Sequence, residues 1–205
     1  YTLLTDYEGN SLRTFYIDKK GYIWFGTIDG IYIFDPTDGK LSHYKHSRTD
    51  PFSLPNNSIW EISEDRQSNV WIGTYSGTLC YVNIDENNAF KTYHPQNSGL
   101  NHTPVSAFAE DQQYLWVGTE GGGINRMNKA TGEFSYITSA NSITSNNIKS
   151  LITDAGHNLW ISTFMGGLDL YNVGRQKVTN FKHTKGAPHS LLVNDVRKTI
   201  LEGDS

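Results

Sequence analysis

Cysteine occurs once, at Cys80, and methionine twice. A lone cysteine forms no disulfide within the chain, so covalent cross-linking is excluded as a source of stability and the redox compartment stays open. In the segment "TLCYV" Cys80 alternates with apolar residues and reads as a small core side chain. Charged residues make up only 19% and the net charge is −4. With no basic stripe, nucleic-acid binding by this segment lacks its electrostatic footprint. Apolar runs stop at about five residues, far short of the roughly 20 that span a bilayer. The chain is also not rich in Ala, Glu, Lys and Leu, which argues against a coiled coil or helical bundle. It opens on Tyr1 with no charged stretch leading into an apolar one, and is read as an excerpt from a longer protein.

What is present is aromatic: 13% of residues, with 19 glycines in a chain of 205. Aromatic and β-branched residues are too frequent for disorder. A β-rich globular chain, long enough to bury a sizeable core, remains.

Four tryptophans share one context: "GYIWFGT" (21–27), "NVWIGT" (69–74), "YLWVGT" (114–119) and "NLWIST" (158–163). Trp24, Trp71, Trp116 and Trp160 recur at intervals of 47, 45 and 44 residues. An acid precedes each (Asp18, Asp65, Asp111, Asp154), and a glycine follows each Thr by three (Gly30, Gly77, Gly122, Gly166). The loop "HSRTDPFSLPNNSI" (46–59) aligns with "HTKGAPHSLLVNDV" (183–196) without a gap. Each unit holds four runs rich in Ile, Val, Tyr, Phe, Trp and Thr, parted by turns such as "DKKG" and "DAGHN". No stretch carries an unbroken helical stripe. Four strands per unit of about 45 residues is the blade of a β-propeller.

The expected architecture is therefore all-β: a β-propeller segment over 1–205 with blades near 12–46, 58–95, 104–138 and 147–183. Strands of a blade are named A to D in order. "YTLLT" (1–5) and residues 193–201 are expected as orphan D and A strands. Four blades with two orphans leave strand edges that invite a larger parent or self-association, here expected as a dimer. The B-strand tryptophans are expected between adjacent blades, covered on both faces.

The pattern D-x-x-G-x-[LIV]-W-[IVF]-G-T-x-x-G-G-[LI] resembles the regulator-propeller repeats of bacterial hybrid two-component sensors. "DAGHNLWISTFMGGLDLYN" (154–172) and "DQQYLWVGTEGGGINRMN" (111–128) carry it almost whole, and "DPFSLPNNSI" (50–59) is similar to that family's D–A connection. The first blade has one glycine where the pattern has two, and Thr78 replaces the second glycine of blade two. The turn before Trp116 is one residue short. The resemblance implies the periplasmic part of an inner-membrane-anchored sensor histidine kinase. Further propeller, kinase and regulator domains would follow in the parent. The implied role is detecting an oligosaccharide and regulating transcription through a phosphorelay.

No G-x-S-x-G elbow, P-loop, H-E-x-x-H or C-x-x-C is present. "TEGGGIN" (119–125) reads as a hairpin needing positive φ rather than a phosphate cradle. His46 and His183 occupy equivalent positions and read as structural; His102 and His189 sit in D–A loops. The repeated acids read as acceptors for backbone N–H groups in the A–B turn. No catalytic residue, metal ligand or cofactor is assigned. Trp60 breaks the repeat, its equivalents being Arg13, Ser106, Lys149 and Arg197. D–A and B–C loops share one face, which is expected to gather Arg48, Phe52, Trp60, Tyr75, Glu120, Phe164, Met165 and His189 as an aromatic platform for a sugar or other small ligand. Two alternatives stand beside this reading. One is a propeller enzyme similar to streptogramin lyase; the other is a protein-interaction propeller with no small ligand.

Overall fold

A computed structural model of the chain describes residues 11–75, 78–83 and 89–202. The strand expected at 1–5 and Gly77 lie outside the described residues. The chain forms two compact units, Tyr1–Asn97 and Ser98–Ser205, each holding two four-stranded sheets.

In the first unit, blade one comprises β1 (Leu12–Ile17), β2 (Ile23–Thr27), β3 (Gly30–Asp35) and β4 (Lys40–Tyr44). Blade two comprises β5 (Ile59–Glu64), β6 (Val70–Thr74), β7 (Leu79–Val82) and β8 (Lys91–Tyr93). In the second unit, blade three runs β9 (Val105–Glu110), β10 (Tyr114–Thr119), β11 (Gly123–Asn128) and β12 (Phe134–Ile137). Blade four runs β13 (Ile148–Thr153), β14 (Asn158–Thr163), β15 (Gly167–Asn172) and β16 (Lys177–Phe181). Every sheet is an antiparallel meander in chain order, and no helix occurs among the described residues.

The repeated residues hold each blade in the same way. The A–B turn is organised by its acid: one carboxylate oxygen accepts backbone N–H groups while the other accepts the indole Nε1–H of the B-strand tryptophan. The indole distances are 2.9 Å for Asp18–Trp24, 2.8 Å for Asp65–Trp71, 3.0 Å for Asp111–Trp116 and 3.0 Å for Asp154–Trp160. The backbone share of this role follows from the turn chemistry read in the sequence; the indole share is an addition. After strand B, the buried Thr27, Thr119 and Thr163 hydroxyls donate to the carbonyls of Gly30, Gly123 and Gly167 at 2.8–3.0 Å. Those three glycines share a positive φ of 102°, 73° and 87°.

Structure thus aligns Gly30 with Gly123 and Gly167, one residue beyond the Gly122 and Gly166 of the sequence alignment, because the first hairpin is one residue shorter. Gly122 and Gly166 are glycine for a different reason. A Cβ on either would strike the D–A loop, His102 in one case and Ser145 in the other.

An asparagine ties the chain leaving a D strand back to its own blade. The side chains of Asn57, Asn146 and Asn194 accept from the N–H of His46, Ser139 and His183 at 2.6–2.7 Å. Their carbonyls accept from Gly30, Gly123 and Gly167 at 2.7–3.0 Å. The structural reading of His46 and His183 matches their geometry: each ring Nδ1 lies 2.7–2.8 Å from a carbonyl of its own loop, Leu54 or Leu191.

Each unit has its own core. In the first, Trp24 and Ile31 of blade one meet Leu54, Ile59, Ile62, Cys80, Val82 and Phe90. In the second, Trp116 and Ile124 of blade three meet Ile143, Ile148, Leu151 and Ile161. Cys80 is buried as expected, and burial pushes its thiol pKa far up, which leaves it protonated and inert.

Two expectations need correction. Trp24, Trp71 and Trp116 are buried, but Trp160 is only half-buried and lines an open cleft. Residues 193–201 form no strand. The segment rests on blade four through Gly167 N–H to Asn194 C=O at 2.8 Å, Val196 N–H to Thr163 C=O at 3.1 Å, the Thr199 and Ser162 hydroxyls at 2.7 Å and the Arg197 guanidinium over Phe164.

Candidate functional site

The A–B ladder of every blade skips one residue at the same place. Pairing steps from Leu12–Thr27 to Thr14–Gly26, from Ile59–Thr74 to Glu61–Gly73, from Val105–Thr119 to Ala107–Gly118, and from Ile148–Thr163 to Ser150–Ser162. The bulged residues are Arg13, Trp60, Ser106 and Lys149, and Arg197 is their sequence equivalent in the tail. A bulge takes a residue out of the ladder and re-aims its side chain, which frees that position to vary while the strand around it does not. The position at which Trp60 breaks the repeat is therefore a structurally privileged one.

In blades two and four the residue after the B-strand threonine meets this bulge, Tyr75 against Trp60 and Phe164 beside Lys149. In blades two, three and four the backbone of that residue is pinned in the same way: Tyr75 N–H donates to Ser58 C=O, Glu120 N–H to Pro104 C=O and Phe164 N–H to Asn147 C=O, at 2.9–3.0 Å. In the first unit, Tyr75 stacks on Trp60 with ring centroids 5.2 Å apart and planes 21° from parallel. The Arg13 guanidinium also lies over Trp60, 5.1 Å from its centroid. Trp60 is half-buried by these neighbours, while Tyr75 keeps 49% of its surface open. The wider exposed aromatic face is thus that of Tyr75, with Trp60 as its backing.

In the second unit the charged pair spans two blades, Lys149 at the bulge of blade four and Glu120 after the B strand of blade three. Lys149 pairs with Glu120, and its ammonium lies 5.6 Å from the Phe164 ring. Arg197 lies 5.7 Å from the same ring and pairs with Asp195 at 2.8 Å. Met165, beside Phe164, takes a positive φ of 63° and is exposed.

The expected single gathering of eight residues resolves into separate places. Trp60 and Tyr75 come together in the first unit, Glu120 and Phe164 in the second, with Met165 adjacent. Arg48 and Phe52 lie instead in a D–A loop cleft of about 810 Å³, with His46, Phe90 and His94 on its walls. His189 lines a cleft of about 690 Å³ with Trp160 and Phe181. These two clefts are built from the duplicated loop, which explains why both sets were drawn to D–A loops in the sequence. Arg13, Lys149 and Arg197 belong to the bulge rows and were passed over. Their signal in the sequence is alignment with Trp60, the residue that stands out in that column.

Among the described residues no three His, Cys, Asp or Glu side chains are placed to hold a metal ion. His102 packs against Gly121 and Gly122 with its Nδ1 buried and without a hydrogen-bond partner, and His189 belongs to the other cleft. The repeated acids are spent on turns and indoles. For Asp154, burial would raise the carboxyl pKa, yet hydrogen bonds from Asn158 and the Trp160 indole outweigh it and hold the pKa below its ordinary value.

A model of the two-component regulator propeller family matches residues 6–29, 53–76 and 99–121. The chain carries two-component regulator propeller repeats. Each matched stretch runs through a D–A linker, an A strand and the Trp-bearing B strand, which are the parts that hold the Asp–Trp link and the bulge.

Solved structures share the fold. The extracellular domain of one B. thetaiotaomicron hybrid two-component system superposes with a TM-score of 0.75 at 23% identity, over 83% of this chain and 23% of its own. A second such domain from B. thetaiotaomicron gives 0.74 at 27% identity, over 90% of this chain and 24% of its own. Histidine kinase P4 of Formosa agariphila is 27% identical over 201 residues, covering 90% of this chain and 14% of that protein. The regulator-propeller segment thus spans about a quarter of the solved domains and a seventh of the curated kinase.

Proposed function

We propose that this segment is the ligand-recognition part of a hybrid two-component sensor, placed outside the inner membrane. It detects a carbohydrate and passes the signal to kinase and regulator domains of its parent that control transcription. The segment itself performs no catalysis. The observation that carries this reading is the Trp60–Tyr75 stack at the bulge of blade two. Aromatic faces flanked by polar groups hold sugar rings through C–H contacts while the groups around them take the hydroxyls. The extracellular placing of the similar B. thetaiotaomicron domains and the kinase relative support the sensor role.

The charges beside the second row are already paired, Lys149 with Glu120 and Arg197 with Asp195.

A glycan array followed by calorimetric titration of the 205-residue chain tests the reading. Tyr75→Ala is expected to weaken binding by roughly tenfold or more, the change that follows loss of an aromatic anchor. Trp60→Ala should weaken it too while moving the melting temperature little. Silence toward every sugar, or unchanged binding by Tyr75→Ala, would overturn it.

A further inference from the structure

The long D–A loop occurs twice, and both copies are held by the same bonds. In the first, the His46 ring Nδ1 lies 2.8 Å from the Leu54 carbonyl, and the Ser53 hydroxyl donates to the Ser47 and Asp50 carbonyls at 3.1 and 2.7 Å. In the second, the His183 ring Nδ1 lies 2.7 Å from the Leu191 carbonyl, and the Ser190 hydroxyl donates to the Thr184 and Ala187 carbonyls at 3.1 and 3.2 Å. The frame is repeated while what it displays changes: Arg48, Asp50 and Phe52 become Lys185, Ala187 and His189. A loop closed on itself in this way is a preorganised support, and a ligand that meets it does not have to order it first.

In the first copy the loop runs beside β8, the outer strand of blade two. Phe90 N–H donates to Phe52 C=O at 2.9 Å and His94 N–H to Asn97 Oδ1 at 2.8 Å, both on the edge of the strand that turns away from β7. Alternation along a strand points the N–H of Thr92, midway between them, to the same edge. Between loop and strand lies the cleft of about 810 Å³, a size usual for small-molecule sites. The buried Leu54 and Phe90 give it apolar walls, and Phe52 keeps 63% of its surface open. Two of its charged side chains are engaged: Asp50 Oδ1 accepts the Phe52 N–H at 2.9 Å, and the Lys91 ammonium lies 5.2 Å from the Tyr81 ring. Arg48 is exposed and has no hydrogen bond, ion pair or ring contact among the described residues. Its guanidinium is the unspent group of the cleft.

We propose that this cleft binds a small carboxylate carried on a six-membered ring, either the aromatic ring of a benzoate or the sugar ring of a uronate. The guanidinium fork of Arg48 takes the two carboxylate oxygens side by side, and the Thr92 N–H is a second donor to them. The ring lies against the open face of Phe52. Asp50 in the same lining sets the charge: a monoanion is balanced by Arg48, whereas a phosphate dianion adds repulsion from the Asp50 carboxylate. This site is separate from the Trp60–Tyr75 stack. It stands or falls without the carbohydrate reading made there, because a benzoate carries no sugar hydroxyls.

Titration of the nitrogen-15-labelled chain, followed through backbone amides and arginine Nε–H signals, tests this. Benzoate or glucuronate should shift the Arg48 Nε–H and the Phe52 and Thr92 amides together and to saturation, and the tighter of the two names the source of the carboxylate. Benzamide and glucose, similar rings without the charge, should bind roughly tenfold or more weakly, and phenyl phosphate no tighter than benzoate. Arg48→Gln should weaken binding by roughly tenfold or more, the change that follows loss of a charged hydrogen-bond donor. Phe52→Ala should weaken it by roughly three- to tenfold. The proposal is overturned if neither acid binds, if the Trp60 indole shifts in place of Arg48, or if Arg48→Gln keeps full affinity. Benzamide that matches benzoate, or phenyl phosphate that exceeds it, overturns it as well.

Discussion

At the scale of single residues, stability rests on a carboxylate that ties a turn to an indole. Asp65 is buried and accepts from the N–H groups of Gln67 and Asn69, the Asn69 amide and the Trp71 indole, all at 2.8–2.9 Å. Asp65→Ala strands those donors and should cost about 1–3 kcal/mol in urea unfolding, the range for buried donors left unpaired. Trp116, wholly buried, does more: Trp116→Ala should cost about 3–5 kcal/mol. A Trp116→Ala chain as stable as wild type would contradict the blade assignment.

Acid acts on the same link. A carboxyl whose pKa is lowered by folding stabilises the fold above its unfolded value and loses that contribution as pH falls through the folded value. For Asp154 the loss therefore begins near its ordinary pKa of 3.8 and completes below it. Urea midpoints of the wild type should fall over that window, and those of Asp154→Asn should fall less.

At the scale of elements, the B–C hairpin and the A-strand bulge do different work. Gly167 sits at φ +87°, and a Cβ there would strike the Phe181 carbonyl of the adjacent strand. Gly167→Ala should therefore destabilise by roughly 1–3 kcal/mol or more, measured by urea unfolding, through backbone strain and that clash. The bulge is permissive by contrast. Arg13, Trp60, Ser106 and Lys149 occupy one backbone geometry; Ser106 is buried and bonded to the Gly118 and Ile148 carbonyls, whereas substitutions at Arg13, Trp60 and Lys149 should change what is bound before they change what is stable.

The A–B strand pairs were legible as sequence because a Trp, an acid and a glycine mark each one. The bulge was not, since a one-residue slip in the ladder leaves the alternation of "SIWEIS" or "NIKSLI" looking like an ordinary strand. The hairpin register was misread by one residue for a related reason. "EGGGIN" and "MGGLDL" offer neighbouring glycines, and only the backbone shows which carries the positive φ and which faces the D–A loop.

At the scale of the whole molecule, repetition conveys architecture and its exceptions convey function. Length, the Trp spacing and turn residues were enough for four meander sheets, because each blade buries the same face by the same rule. The candidate site was legible only in part. Trp60 stood out as the odd member of its column and Tyr75 as an aromatic in the hairpin beside it, and the two do meet. Arg48, Phe52 and His189 were drawn in by their loops, which the structure turns into clefts of their own. A loop's position in sequence says which end of a strand it leaves, but not how far its side chains reach.

The account's central claim is that ligand sits on the bulge row of blade two, and the five tryptophans provide a direct reporter. Indole N–H resonances of the nitrogen-15-labelled chain can be followed during titration with the best oligosaccharide from the array. Trp24, Trp71, Trp116 and Trp160 donate to carboxylates in the A–B turns, whereas Trp60 lies against Tyr75 and Arg13. The expected result is a saturating shift of the Trp60 signal with the other four left in place. Shifts confined to the four carboxylate-bonded indoles, with Trp60 unmoved at saturation, would contradict the account.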